Sequence, residues 1–355
     1  MTLADVADRA GVSITTASVI LSGREDYLRQ FHPETIEKVR QSAGRLGYCA
    51  NLFASGLPSK DSLFFALVIR DIARDDITAW HHWAFEGDLL VGVIHAAAQA
   101  GMYPIVATAD ADTEGDSLRS IERIISGGVF GAIVRSPGKA LEKYLRGQLR
   151  RGQRVAVVFP DRLSQWSSNA VSVDNLALGQ MAGELLSREG RKRWAIVHYR
   201  DRNPRESHLV RREGFKQVAR RVGASVDIIG LPREPENFTE EDLAQLKRID
   251  PDGVFGVDSV LSIDALLAFL KVGRRPPADF SLVGCNCSRW QSAAFPRITS
   301  VEISWKQAGI IAIRQLLQTA KAEENCFENV LMKPRTVPGE TCAVPADLVP
   351  GLSET

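Results

Sequence analysis

The chain has 355 residues, of which 45% are hydrophobic and 25% charged, and its formal net charge is +1. This composition and length are typical of a globular protein that joins a small module to a larger domain or domain pair. No apolar run approaches the roughly 18 residues of a membrane span. The start of the chain lacks the basic-then-apolar pattern of a secretory signal, so we expect a cytoplasmic protein.

The first segment of the chain predicts a helix-turn-helix. Apolar residues at helical spacing predict a helix over residues 3–10 that stops at Gly11, and Ser13 can cap a second helix over residues 14–21. Two short helices joined by such a turn can place the second helix in a DNA major groove. Its exposed face offers hydroxyls suited to phosphates and base edges, from Thr15, Thr16 and Ser18. DNA binding is therefore the leading interpretation.

A third helix and a short linker follow. Pro33 is suited to the first turn of a helix that runs to Leu46 and ends at Gly47, and a short segment at 51–57 precedes Pro58. Residues 1–60 hold seven Lys or Arg and six Asp or Glu. Charge alone therefore does not indicate a nucleic-acid binder.

From Leu63 onward, apolar strands alternate with amphipathic helices. Strands are predicted at 64–69, 103–108, 130–134, 154–159, 194–198, 226–229, 253–257 and 281–285. Helices between them include 89–100, 118–125, 176–187, 211–222, 260–272 and 306–321. This alternation predicts an α/β protein with two doubly wound parallel sheets. Ligands of such sheets bind outside the carboxyl ends of the strands.

The cysteines and histidines give little evidence for a metal or catalytic site. The five cysteines are scattered, at Cys49, Cys285, Cys287, Cys326 and Cys342, and reduced thiols explain them best. Cys285 and Cys287 have no second pair at zinc-site spacing, and the adjacent His81 and His82 are weak evidence for metal. We therefore predict no metal site, no cofactor and no catalytic residues.

Several motifs of the sequence resemble those of a known protein family. The patterns T-L-x-D-V-A-x-x-A-G-V-S-x-x-T-x-S, P-E-T-x-x-x-V and L-G-Y-x-x-N-x-x-A-x-x-L resemble the lactose-repressor (LacI) family of transcription regulators. Weaker matches continue through the chain at Asp161-Arg162, Val173-Asp174-Asn175, Arg211-x-x-Gly214-Phe215 and Pro296-x-Ile298-Thr299. The resemblance implies an N-terminal all-α helix-turn-helix module followed by a two-lobed periplasmic-binding-protein-like core.

The resemblance also implies how DNA is bound. A homodimer would place two helix-turn-helix modules on a near-palindromic operator, with a hinge helix in the minor groove and Leu57 wedged between base steps. The DNA-binding residues implied are Thr2, Leu3, Ser13, Ile14, Thr15, Thr16, Ser18, Val19, Thr35, Asn51, Ala54 and Leu57. An ordinary linker residue is the alternative for Leu57.

Three departures from the family pattern concern the DNA-binding end. Val19 stands where many members carry arginine, Ala50 replaces a frequent proline, and Gly56 weakens a hinge helix. The loop at 24–31 is about four residues longer than usual; its Arg24 and Arg29 could reach phosphates, although a solvated loop is the simpler interpretation. We therefore expect an operator sequence that differs from the common one of the family.

The domains expected are a helix-turn-helix domain at 1–48, a hinge and linker at 49–61, a core at 62–345 and a tail at 346–355. The N-lobe would hold about 62–161 and 291–325, and the C-lobe about 162–290 and 326–345. The chain would cross between lobes near 161–163, 288–297 and 323–328. The tail shows no heptad repeat, which favours a dimer over a coiled-coil tetramer.

The expected ligand is a small molecule in the cleft, such as a sugar or sugar derivative. The effector-binding residues proposed are Asp71, Trp83, Phe85, Asp161, Arg211, Phe238, Asp258 and Asn286. Arg211 suits a carboxylate or paired hydroxyls, with a surface arginine as the alternative. A turn cap is the alternative for Asp161, and a core position for Phe238. The uncharged Asn286 stands where the family has aspartates, which weakens a charged clamp on sugar hydroxyls.

Residues 72–84 form an insertion that either closes over the cleft with its tryptophans or packs as a surface loop. Two other functions compete with a ligand-controlled regulator. The first is a small-molecule binding protein whose DNA module has reduced specificity. The second is an enzyme that uses Asp161, Asp258 and His198, which no catalytic spacing supports.

Overall fold

The computed structural model describes residues 1–21, 25–48, 62–70, 80–109, 113–200, 204–232, 238–286, 296–319, 326–345 and 347. Contacts divide the chain into two compact units, Met1–Phe64 with Ser126–Phe130 and Phe65–Ile125 with Gly131–Thr355. The hinge and linker at 49–61 lie wholly outside the described residues, as do the first eight residues of the insertion at 72–84.

The first unit contains four helices: α1 (Leu3–Ala10), α2 (Ile14–Leu21), α3 (Glu25–Leu28) and α4 (Pro33–Leu46). Gly11 and Gly47 end α1 and α4 in the left-handed conformation, which glycine adopts without a steric cost. A small core of Val6, Ala7, Ala10, Ala17, Ile20, Val39 and Ala43 joins α1, α2 and α4. The helix-turn-helix prediction is confirmed.

The long loop at 24–31 is more structured than a solvated loop. It contains the one-turn helix α3, and both Leu28 and Phe31 pack against the small core. Apolar side chains therefore anchor this stretch to the module.

The second unit contains two six-stranded sheets. The first has the order β11-β5-β4-β3-β1-β2 and the second β12-β10-β9-β8-β6-β7. The strands are β1 (Phe64–Arg70), β2 (Tyr103–Ala109), β3 (Ala132–Arg135), β4 (Val155–Val158), β5 (Ala170–Val173), β6 (Arg193–Tyr199), β7 (Ser225–Leu231), β8 (Gly253–Gly256), β9 (Ser281–Cys285), β10 (Thr299–Glu302), β11 (Val330–Met332) and β12 (Arg335–Val337). Among the described pairings, β10 with β12 is antiparallel and the others are parallel.

Helices cover both sheets and define the lobes. They are α5 (Trp80–Gln99), α6 (Gly115–Ser126), α7 (Lys139–Arg150), α8 (Asn175–Arg188), α9 (Glu206–Val222), α10 (Glu240–Ile249), α11 (Ser259–Lys271) and α12 (Trp305–Thr319). The N-lobe is the first sheet with α5 and α12, and the C-lobe is the second sheet with α8 and α9. The predicted class, two doubly wound parallel sheets after a helical module, is confirmed.

Each lobe contains one helix pair in backbone contact. A Cβ on Gly179 of α8 would lie 1.9 Å from the Arg211 carbonyl oxygen of α9, and a Cβ on Gly92 of α5 would lie 2.0 Å from the Lys306 carbonyl oxygen of α12. No side chain larger than hydrogen fits between backbones at that distance. Glycine at these positions therefore lets the helices touch.

The lobe crossings lie further along the chain than we expected. β5 at 170–173 pairs with β4 in the N-lobe, so the first crossing follows Val173 and not 161–163. β10 at 299–302 still belongs to the C-lobe, so the second crossing follows Glu302 and not 288–297. The third falls between β11 and β12, after Met332, and not at 323–328. The expected boundaries were wrong because these strands are short and β5, β10 and β12 contain polar residues, so they lack the continuous apolar run that marks β4.

Candidate functional site

The first residues of α2 form the exposed face of the helical module. The Ser13 hydroxyl accepts from the Thr16 backbone N–H at 3.0 Å and so caps the helix, as its position predicts. Ile14 is 54% exposed and Thr15 is exposed, whereas Thr16, Ser18 and Val19 are half-buried. This end of α2 carries no acidic residue in its first turn, which suits the approach of phosphates.

The other predicted DNA-binding residues lie at the starts of α1 and α4 or outside the described part of the chain. The Thr2 hydroxyl accepts from the Asp5 backbone N–H, the Asp5 carboxylate accepts from the Thr2 N–H at 2.7 Å, and these bonds lower the pKa of Asp5. Leu3 packs against the small core, and Thr35 is half-buried in the first turn of α4. Asn51, Ala54 and Leu57 lie outside the described residues.

In the C-lobe, Arg211 is held at the carboxyl ends of the strands. Its side chain is buried, its Nε donates to Asn175 Oδ1 at 2.8 Å, and its Nη1 donates to the Val257 carbonyl at 2.8 Å. Asn175 begins α8, and Val257 directly follows β8. Arg211 is thus an inward-facing residue and not a surface arginine.

Asp258 follows Val257, the residue that Arg211 contacts, and its carboxylate makes two contacts. Its carboxylate accepts from the Leu261 N–H at 2.8 Å and caps α11, and its other oxygen lies 3.5 Å from His208 Nε2. Burial lowers the pKa of His208 to about 4, and the charge of Arg211 adds to this against the opposing effect of Asp258. The His208 imidazole is therefore neutral near pH 7.

Asn286 follows β9 at the same edge of the sheet. Its backbone has a positive φ of 58°, and its N–H donates to the Val301 carbonyl at 2.9 Å. Its side-chain oxygen is buried without a hydrogen-bond partner among the described residues. Beside it, burial raises the pKa of the Cys285 thiol to about 11, so this thiol stays protonated.

The carboxyl edge of the N-lobe sheet is strongly charged. Arg70 and Arg135 are the last residues of the neighbouring strands β1 and β3, and Asp161 follows β4. Arg135 Nε lies 2.7 Å from Glu86 Oε1, and both side chains are buried. Burial, and then the positive charges of Arg205 and Arg135, lower the pKa of Arg70 to about 10, whereas Asp161 and Glu86 oppose this shift.

Three aromatic rings lie beside these charges. The Trp305 ring centroid is 4.5 Å from that of Phe159 and 5.0 Å from that of Phe85, and the Arg135 guanidinium lies 5.1 Å from it. Phe85 was proposed as an effector-binding residue, and here it belongs to an aromatic cluster at the N-lobe edge. This cluster gives the charged edge an apolar aromatic wall.

Not every proposed effector residue reaches these groups. The Lys271 ammonium lies 4.9 Å from the centroid of the Phe238 ring. Lys271 is at the opposite end of α11 from Asp258. Asp71 and the side chain of Trp83 lie outside the described residues. His198 bonds to the Tyr199 carbonyl, and the histidine that reaches Asp258 is His208 instead. Of the set Asp161, Asp258 and His198, the first lies at the N-lobe sheet and the other two at the C-lobe sheet.

Sequence reasoning missed several residues that now define the site. They are Arg70, Glu86, Arg135, Phe159, Asn175, Arg205, His208 and Trp305. The available signal was the arginine that ends each of two apolar strands, Phe64–Arg70 and Ala132–Arg135, at the edge where ligands bind. In the described part of the chain, no group of three or more His, Cys, Asp or Glu residues could hold a metal ion. Nor is any described helix long and apolar enough to span a membrane.

Two family models match the chain. Residues 2–51 match the family described as bacterial regulatory proteins, lacI family, and residues 183–342 match a periplasmic binding protein-like domain. Similar proteins include the HTH-type transcriptional regulator DegA of Bacillus subtilis (strain 168), 24% identical over 95% of this chain and 96% of that protein. The HTH-type transcriptional regulator GntR of Pseudomonas aeruginosa is 27% identical over 91% of this chain and 90% of that protein.

Solved structures share the fold. The lac repressor dimer bound to operator and the anti-inducer ONPF has a TM-score of 0.74 at 19% identity, covering 96% of this chain and 98% of that one. The transcriptional regulator CelR in complex with cellobiose has a TM-score of 0.62 at 21% identity, covering 96% of this chain and 99% of that one.

Proposed function

We propose that this chain, which belongs to the lacI family of bacterial regulatory proteins, represses transcription by binding an operator whose affinity a small molecule controls. The observation that carries the proposal is the pairing of two features in one chain. One is a helix-turn-helix unit with an exposed α2 face, and the other is a two-sheet core with polar side chains at the carboxyl ends of its strands. Its relatives DegA and GntR are named transcriptional regulators.

The DNA contact would be made by α2 in the major groove. Ile14 and Thr15 are the most exposed side chains of its first turn, and they suit an apolar contact and a hydroxyl contact to base edges. We propose that residues 49–61 act as the hinge and that Leu57 enters the minor groove at the centre of the operator. The departures at Val19 and Gly56 favour an unusual operator sequence.

The effector would bind between the charged N-lobe edge and the Arg211 region of the C-lobe. A sugar or sugar derivative suits the aromatic wall at Trp305 and the hydroxyl-binding capacity of Asp161 and Asn286. Related folds have been solved with cellobiose and with ribose. Binding there would change operator affinity by linkage, because the ligand favours one arrangement of the lobes over another.

A homodimer would match the two-fold symmetry of a palindromic operator. Tyr103 and Val106 of β2 are 46% and 48% exposed, and Ile228 of β7 is 43% exposed. Both strands end their sheets, so each presents exposed apolar side chains at the edge of its sheet. A lac repressor of the same fold was solved as a dimer. A DNA-bound regulator of this kind works in the cytoplasm and performs no catalysis of its own.

The test is selection of bound duplexes from a random DNA library by the purified full-length protein. We expect a near-palindromic sequence, bound about tenfold or more weakly by Thr15→Ala, because a base contact is worth about 1–3 kcal/mol. Gln41→Ala, an exposed change on α4, is the matched control and should bind normally. Recovery of no sequence above background, with and without candidate sugars, would favour the alternative of a small-molecule binding protein with reduced DNA specificity.

A further inference from the structure

We propose that the effector carries a carboxylate, and that Arg70, Arg135 and Arg205 recognise it in the cleft. This inference rests on the proposed effector-binding function and names the chemical class that this cleft selects. The effector would be a sugar acid or a related hydroxy acid, and not a neutral sugar.

The first support is the position of two arginines on the sheet. β1 and β3 are parallel neighbours in which Val68 lies beside Val134, so Arg135 ends β3 beside Ile69 and Arg70 ends β1 one position further along. The next strand pairs Arg135 with Val158, which places Phe159 and Asp161 directly beyond it. All these residues lie at the carboxyl edge, where doubly wound sheets bind ligands.

The second support is the unsatisfied state of Arg135. Its side chain is only 6% exposed, and apart from the Glu86 contact its Nη1 is buried without a hydrogen-bond partner among the described residues. Buried guanidinium donors without an acceptor are costly, and a ligand oxygen would satisfy them. A guanidinium also binds a carboxylate through two parallel hydrogen bonds.

The third support comes from the other lobe. Arg205 precedes α9 of the C-lobe, and its charge is close enough to Arg70 and Arg135 to lower the pKa of both. The next residue, Glu206, accepts from the Ser164 hydroxyl at 3.0 Å and from the Ser164 N–H at 3.3 Å, and Ser164 belongs to the loop that follows β4. The start of α9 therefore faces the charged edge of the N-lobe.

The charges of this cluster favour an anion. The three arginines outnumber Glu86 and Asp161, the two carboxylates whose charges act on both Arg70 and Arg135. A single carboxylate suits one bidentate guanidinium, whereas a phosphate ester brings close to two negative charges at neutral pH. The Trp305 cluster beside Arg135 would pack against the apolar face of the sugar ring.

Matched ligands test the charge requirement directly. Thermal unfolding of the full-length protein is followed with D-glucose, D-galactose and D-mannose, with the acids of each at carbon 6 and carbon 1, and with their 6-phosphates. We expect acids alone to raise the melting temperature, and titration calorimetry then gives the dissociation constant of the best acid. Equal or better stabilisation by neutral sugars would overturn the carboxylate proposal while leaving a sugar-controlled regulator intact.

Variants test which arginines are used. Arg70→Gln and Arg205→Gln should each weaken binding of the best acid by about tenfold or more, as expected for a lost charge-assisted hydrogen bond. Arg123→Gln, an exposed change in α6, is the matched control and should bind normally. Unchanged binding in both site variants, or stabilisation by 6-phosphates alone or by no compound, would overturn the proposal. Operator selection without ligand tests DNA binding separately. If a sequence is recovered there, the proposed regulatory function holds even when the carboxylate proposal fails.

Discussion

Substitution of Gly179 by alanine tests the contact between α8 and α9. The new Cβ would lie 1.9 Å from the Arg211 carbonyl oxygen, whereas an ordinary contact begins at 3.4 Å. The two helices must therefore separate by about 1.5 Å at this point, and overpacking of this kind costs about 1–3 kcal/mol, occasionally more. A domain of 150–250 residues loses about 2–4 °C per kcal/mol, so we expect Gly179→Ala to lower the melting temperature by about 2–12 °C.

The same change should also weaken effector binding. Arg211 bonds to Asn175 at the start of α8, so separating the helices pulls the guanidinium away from its partner. The assay is thermal unfolding by circular dichroism, followed by titration calorimetry with the acid that stabilises the unmodified protein most.

Gly147→Ala is the matched control, because a Cβ there has no atom within 4 Å in the interior of α7. Alanine should stabilise that helix by up to about 1 kcal/mol. The reasoning is refuted if Gly179→Ala unfolds at or above the temperature of the unmodified protein while Gly147→Ala behaves as expected.

Two further predictions concern buried charge. Because burial holds the pKa of His208 near 4 and the unfolded value is near 6.5, the unfolded chain binds the extra proton between those values, and stability falls as pH is lowered through that window. Between pH 6.5 and pH 4, the free energy of unfolding of His208→Gln should fall by up to about 3 kcal/mol less than that of the unmodified protein, as measured by urea unfolding at each pH. The same pH dependence in both proteins would contradict the assignment. Glu86→Gln leaves the buried Arg135 without its anion, so we expect the free energy of unfolding in urea at pH 7 to fall by about 3–5 kcal/mol in the absence of ligand. Added sugar acids would offset this loss. A loss below about 1 kcal/mol without ligand would show that the pair is not buried as described.

The fold was largely predictable because its long elements carry strong periodic signals. Strands such as Phe64–Arg70 and the capped helices of the first unit read directly from the sequence. Short strands such as Thr299–Glu302 do not, since polar residues leave them without a continuous apolar run, and their omission misplaced the lobe crossings.

The site was less predictable for a different reason. Arg211 was identified through its motif and does lie at the carboxyl edge of its sheet. The arginine pair at Arg70 and Arg135 depends on which strands are neighbours, and β1 pairs with β3 across an intervening strand and two helices in sequence. Sequence spacing does not report this adjacency, and it conveys still less about Arg205, which approaches from the other lobe.

The third lobe crossing affects how the protein is made. β11 adds to the N-lobe sheet and β12 to the C-lobe sheet, although both lie within eight residues of each other near the end of the sequence. During synthesis, the partner strand β5 therefore waits on the order of ten seconds or more for β11 to emerge from the ribosome. Until then one edge of β5 lacks its native partner and is open to pairing with other chains, so this crossing sets the length of that interval.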